Sequence, residues 1–189
     1  MDIRAAKAVI TGGASGLGAG VGRYLASRGA QITLVDLQLE AGQKTAADIG
    51  PSARFIQCDV TQESAVEKTL QAAADAMGGI NLLVNCAGII GAGRVLGRNG
   101  PMAGDFFTKV IHVNLIGTYN AARLFAEACA QLDPLEDGAR GVMVFTASVA
   151  AFDGQVGQQA YSASKAGVVG MTLPMARDLA QHGIRVCTI

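Results

Sequence analysis

A doubly wound α/β fold, a parallel sheet with helices on both faces, is what this sequence predicts. Three features predict it. Short β-branched runs alternate with longer Ala-rich segments of helical period, glycines stand at the joins, and the strand-like runs are apolar nearly throughout. The last feature discriminates most. A half-exposed strand alternates polar with apolar residues, whereas a strand buried on both faces beneath right-handed crossovers does not. Length agrees, since 189 residues make one domain, residues 1–189, with a substantial core.

In chain order, "KAVIT" (7–11) is the first strand, and a helix over 16–28 follows a glycine-rich turn. "QITLVD" (31–36), a helix over 38–48, "ARFIQCD" (53–59), a helix over 62–76 and "NLLVN" (81–85) continue the alternation. A Gly-rich connection then leads to a long helix over 105–131, the strand "GVMVFTA" (141–147), a helix over 158–181 and a last strand, "IRVCTI" (184–189). Gly29, Gly50, Gly78 and Gly183 fall where a left-handed residue ends a helix. Pro174, inside the last helix, removes one hydrogen bond and is expected to bend it. No repeat, linker or low-complexity tract interrupts the pattern.

Composition excludes several classes of function. Fifteen basic residues balance fifteen acidic ones without blocks of either sign, which leaves no electrostatic footprint for nucleic acid or an anionic membrane. Cys58, Cys86, Cys129 and Cys187 are widely spaced and have no histidine close by in sequence, which argues against a zinc site, any other metal, or a disulfide framework. The amino terminus enters a strand almost at once, without a signal peptide's apolar stretch, and no segment is long enough to span a bilayer. A soluble cytoplasmic protein is expected. The charged fraction of 16% is low and 50% of residues are apolar, so much surface is hidden in the sheet or against other subunits.

Folds of this class bind ligands at the carboxyl ends of their strands. There the first strand runs into "TGGASGLG" (11–18). Gly12 suits a tight turn, Gly16 a close approach of backbone to phosphate, and Gly18 close packing of helix on strand. The helix then offers free N–H groups to a pyrophosphate, and Ser15 offers a hydroxyl. The second strand ends at Asp36, 18 residues after Gly18, where a carboxylate can accept from the adenosine ribose hydroxyls and repel a 2′-phosphate. NAD rather than NADP is the cofactor this pattern predicts. The plainer readings are a turn of small residues and a carboxylate that caps the next helix.

The glycine spacing differs from the common G-x-G-x-x-G and resembles the Thr-Gly-x-x-x-Gly-x-Gly of the short-chain dehydrogenase/reductase family. That resemblance implies a Rossmann-type sheet in the order 3-2-1-4-5-6. It implies that Leu17 joins the glycine loop in lining the cofactor, and that Asp59 and Val60 of "CDV" flank the adenine. "NCAG" (85–88) is similar to the family's Asn-Asn-Ala-Gly, with Cys86 in place of the second asparagine and Gly88 retained.

Four further residues carry the chemistry. Tyr161 and Lys165, in "AYSASKAG", are four apart on a helix and share a face. A free tyrosine titrates near pH 10 and is a poor base at neutral pH, but an adjacent ammonium, and the positive ring of an oxidised nicotinamide, both favour the phenolate. Ser148 follows the fifth strand in "TASVAA", where its hydroxyl can hold a substrate alcohol within reach of Tyr161. Asn114 is a polar residue inside an apolar helical stretch, so a backbone break or an ordered water is expected beside it. In the family this asparagine positions a water that links the lysine to solvent.

The stretch from 147 to 186 looks most like the type II, short-chain 3-hydroxyacyl-CoA dehydrogenases. By that resemblance the protein oxidises the secondary alcohol of a 3-hydroxyacyl-CoA to a ketone, with Tyr161 as general base. Gln155 and Gln158 lie where they could bond substrate, or else in an exposed loop. Arg94 and Arg98 suit CoA phosphates or plain solvation. The helices of Asn114 and Tyr161 are expected to pack across two-fold axes into a dimer of dimers. Family members continue past the position of Ile189 with a Pro-Gly turn, a substrate lid and a seventh strand. A hydroxysteroid or other alcohol dehydrogenase, a 3-ketoacyl thioester reductase and a silent NAD-binding scaffold are the competing readings.

Overall fold

In chain order the computed structural model, which describes residues 2–98 and 100–189, begins with a 3-10 turn (Ile3–Ala5) and β1 (Lys7–Thr11). There follow α1 (Gly16–Ser27), β2 (Gln31–Asp36), α2 (Leu39–Ile49), β3 (Ala53–Gln57), α3 (Glu63–Met77) and β4 (Leu82–Asn85). A small hairpin of β5 (Leu96–Gly97) and β6 (Gly100–Pro101) precedes α4 (Gly104–Ile111), a π-helical turn (His112–Ile116) and α5 (Gly117–Ala130). The chain ends with β7 (Gly141–Phe145), a 3-10 turn (Val149–Ala151), α6 (Gln159–Ala180) and β8 (Ile184–Thr188).

The main sheet is parallel and runs β3-β2-β1-β4-β7-β8. With the hairpin set apart this is the expected order 3-2-1-4-5-6. All four residues of β4 are buried, as are four in each of β1 and β2, which accounts for their lack of alternation. One face packs against α3, α5 and α6 through Leu70, Met77, Phe125, Met143, Phe145 and Val168. The other packs Ile10, Leu25, Ile32, Leu34 and Ala46 beneath α1 and α2. Val142 and Val144, facing the same way from β7, stay half-buried. A cavity of about 790 Å³ opens by β8, lined by Asp137, Ala180 and Gly183 at the amino ends of the strands, away from the edge that holds Tyr161.

Gly29, Gly50, Gly78 and Gly183 all take positive φ, as their places after helices require. Two expectations are corrected. The helix expected over 105–131 is split by the π-helical turn, because Asn114 is fully buried there and its amide bonds outside the helix. The connection after β4 is not a plain loop but carries the hairpin. The helix α6, in turn, continues through Pro174 over 22 residues.

Candidate active site

Strand order reverses between β1 and β4, and the glycine loop lies at that point, on the carboxyl edge of the sheet. Gly12 has φ 67°, and a side chain there would press against the backbone of Cys86 and Ala87. A Cβ on Gly18 would lie 2.2 Å from the Gly12 carbonyl oxygen, so the loop closes only without one. Thr11 ties this loop to β4: its hydroxyl donates to Asn85 Oδ1 at 3.0 Å and accepts from Ala87 N at 3.2 Å. Ser15 stands at the N-cap of α1 but makes no side-chain bond to the first turn. The free N–H groups of that turn and the Ser15 hydroxyl therefore face solvent, beside Gly16, which has open space around it, and the exposed side chain of Leu17.

Asp36 ends β2 next to this loop. Its Oδ2 accepts from Ala14 N and its Oδ1 from Gln38 N, each at 3.1 Å. The carboxylate thus holds the glycine loop and steadies the chain before α2, but it does not cap that helix, whose N-cap is Gln38 with no side-chain bond to the first turn. Asp59 accepts from the amide and hydroxyl of Thr61 at 2.9 and 2.8 Å. Val60 is buried against Gly117, and its carbonyl accepts from Asn120 Nδ2 at 3.2 Å.

Lys165 is buried at 6% exposure, and its Nζ donates to the Thr146 carbonyl at 2.6 Å. The same nitrogen lies 5.7 Å from the centroid of the Tyr161 ring. Burial pushes the ammonium below the ordinary lysine range, with a smaller opposing electrostatic effect from Cys86. Cys86 accepts from Thr146 Oγ1 at 3.8 Å. Burial pushes its thiol up, against opposing effects of the Thr146 bond and Lys165. Gly88 links the two halves of the site, since a Cβ there would lie 3.3 Å from Asn114 Oδ1 and 3.9 Å from Lys165 Nζ.

The Asn114 amide is saturated by protein. Oδ1 accepts from Ile89 N at 2.8 Å, and Nδ2 donates to Ile89 O and to Ser164 Oγ, both at 3.0 Å. Its carbonyl takes the Thr118 hydroxyl at 2.8 Å. A backbone break accompanies this residue as expected, in the form of the π turn. Ser148 caps the 3-10 turn that packs on α6, its Oγ accepting from Ala150 N at 3.2 Å. That leaves its O–H free to donate.

Gln155 is exposed, and Gln158 Oε1 accepts from its amide at 3.0 Å, closing the turn into α6. The neighbour Gln159, which the sequence did not single out, donates to Gly93 O at 2.7 Å and staples the connection after β4 to the start of α6. Arg94 and Arg98 are exposed on that connection. Exposed apolar side chains, Val149, Phe152 and Val156, follow Ser148. Among the described residues no group of three or more His, Cys, Asp or Glu could hold a metal ion.

The short chain dehydrogenase family matches residues 6–189. The chain is 49% identical over 189 residues to a protein of Drosophila melanogaster named 3-hydroxyacyl-CoA dehydrogenase type-2, covering 99% of this chain and 74% of that one. It is 48% identical to the Homo sapiens protein of the same name, covering 100% and 73%. The crystal structure of 3-hydroxyacyl-CoA dehydrogenase type-2 from Mycobacterium avium superposes with a TM-score of 0.92 at 43% identity, over 97% of this chain and 72% of that one. With the glycine loop, the parallel sheet and the Tyr161–Lys165 helix turn all in place, the chain belongs to the short chain dehydrogenase family of oxidoreductases.

Proposed function

We propose that the protein, of which residues 1–189 form the NAD-binding domain, uses NAD to oxidise the secondary alcohol of a 3-hydroxyacyl-CoA to the 3-ketoacyl-CoA. The observation that carries this reading is the convergence of Gly88, Asn114 and Lys165 beside Tyr161, on the edge where the glycine loop opens. The names of the similar proteins supply the substrate class, and the apolar side chains after Ser148 suit an acyl chain better than a sugar.

The residues fit a dinucleotide. Gly12, Ser15, Gly16, Leu17 and Gly18 would hold its pyrophosphate, Asp36 its adenosine ribose, Asp59 and Val60 its adenine, and Cys86, Gly88, Tyr161 and Lys165 its nicotinamide half. When bound, the nicotinamide supplies the hydride acceptor. Ser148 donates to the substrate oxygen and holds it, with Gln155 and Gln158 on the same side. Tyr161 takes the hydroxyl proton, while the Lys165 ammonium favours the phenolate and Asn114 fixes the neighbouring backbone. Asp36 would repel the extra phosphate of NADP, which makes NAD the cofactor.

A small-molecule substrate with no nucleic-acid or membrane partner, a cytoplasmic location and a dimer of dimers complete the proposal. Ile116, Tyr119 and Leu173, exposed on the π turn, α5 and α6, would lie at the subunit contacts. The test follows NADH formation with a 3-hydroxyacyl-CoA, a hydroxysteroid and a sugar alcohol, in wild type and Tyr161→Phe. Turnover of the thioester alone, lost in the variant, is the expected result; equal rates in both proteins refute Tyr161 as base, and NAD binding without any turnover makes the chain a scaffold.

A further inference from the structure

Ser164 lies between Tyr161 and Lys165 and is completely buried. Its Oγ donates to the Tyr161 carbonyl at 2.7 Å and accepts from Asn114 Nδ2 at 3.0 Å. A helical serine that merely bonds back to its own preceding turn is commonplace. Here the second bond crosses to another element, and the direction of the whole chain is fixed.

Ile89 N–H requires an oxygen opposite it and Ile89 O requires a donor, so the Asn114 amide has only one orientation. The remaining Nδ2 hydrogen then goes to Ser164, whose hydroxyl in turn gives its proton to the Tyr161 carbonyl. By helix periodicity that carbonyl is also the acceptor of the Lys165 amide. Three elements are tied in one line: the connection after β4 that carries Gly88, the π turn, and the turn of α6 that carries both Tyr161 and Lys165.

We propose that Ser164 is a positioning residue, whose hydroxyl transmits the fixed orientation of Asn114 to the Tyr161–Lys165 turn and sets where that pair stands relative to Gly88. The proposal rests on the reading of Tyr161 and Lys165 as the proton-transfer pair. A hydroxyl is required because it must accept from one partner and donate to the other. Alanine fills the space and suits the helix but leaves a buried Asn114 N–H and the Tyr161 carbonyl without this link.

The test compares wild type, Ser164→Ala and Ser164→Cys for alcohol-dependent NADH formation, NADH binding by fluorescence titration, and folding by circular dichroism. Ser164→Ala is expected to bind NADH within about threefold of wild type while kcat falls about tenfold to a hundredfold, the sensitivity of proton transfer to small misplacements. Ser164→Cys, whose longer and weaker bonds keep the same pattern, should fall in between. A folded Ser164→Ala with kcat within about twofold of wild type overturns the proposal. So does a parallel loss of kcat and NADH binding, the mark of a merely structural residue. Where Ser164→Ala does not fold, Ser164→Cys decides, and wild-type kcat in it is the overturning result. Wild type inactive on every alcohol brings down the reading of the site and this proposal together, whereas active wild type with unimpaired Ser164 variants brings down only this one.

Discussion

The ammonium of Lys165 stands 5.7 Å from the centre of the Tyr161 ring while its own hydrogen bond goes to the Thr146 carbonyl. The lysine is therefore held from behind by β7's extension and presents its charge to the phenol from a fixed position. Tyr161→Phe removes the proposed acid–base group and leaves this anchoring untouched. Its kcat should fall at least about a hundredfold with NADH binding preserved, as steady-state rates and fluorescence titration will show.

Burial holds the Lys165 ammonium below the ordinary lysine value of 10.5, with a smaller opposing electrostatic effect from Cys86. The folded protein thus binds this proton less tightly than the unfolded chain does. Stability is reduced below the folded pKa, where the charge must be kept inside, and recovers as pH rises from there toward 10.5. Lys165→Met, similar in length and uncharged, should melt at or above wild type at pH 7, with the difference shrinking as pH climbs toward 10.5. Its kcat should drop at least about a hundredfold. A melting series across pH checks the sign, and a variant that melts well below wild type at pH 7 contradicts it.

Asp36 holds the glycine loop and is proposed to bind the cofactor ribose, and two variants separate these roles. Asp36→Asn keeps an acceptor for Ala14 N but loses the charge, whereas Asp36→Ala loses both. Both should shift the ratio of kcat/KM for NAD over NADP by at least about tenfold toward NADP. Only Asp36→Ala should also lose about 1 kcal/mol of stability in urea denaturation. An unchanged ratio in both would remove Asp36 from the ribose site.

Asn114→Leu strips three bonds from a buried amide and orphans both backbone groups of Ile89. A loss of about 3 kcal/mol is expected in equilibrium unfolding, with the π turn the first segment to exchange its amide hydrogens.

Two glycines of α1 should respond in opposite ways. Gly18→Ala drives a methyl into the Gly12 carbonyl and should abolish NADH binding and lower the melting temperature. Gly20→Ala meets nothing within 4 Å on an exposed helix face and should stabilise by about 0.5–1 kcal/mol. Calorimetry on the pair distinguishes close packing from ordinary helix propensity.

The sheet was legible in the sequence because each strand announces itself locally, by an apolar run between glycines, and because parallel topology leaves few ways to order six such strands. Tyr161 and Lys165 were legible for a related reason, since helix periodicity alone puts them on one face. What escaped were bonds between residues far apart in the chain. Nothing near Asn114 indicates that its amide will close on Ile89, and nothing near Gln159 points to Gly93. The π turn was legible only as a break expected beside Asn114, because its extra residue leaves no periodic trace that would give its type or bounds. Val60 is a milder case: its burial against Gly117 depends on α5, more than fifty residues later.

The bond from Thr11 to Asn85 spans 74 residues, and Gly12 is shaped around the backbone of Cys86 and Ala87. A ribosome delivers β1, α1, β2, α2 and β3 before any of those partners exist. The glycine loop, although translated well before β4, reaches its final shape only when β4 slides in beside β1. A nascent chain whose β4 has not yet left the exit tunnel should consequently be unable to retain NADH, whatever structure its first three strands have gained.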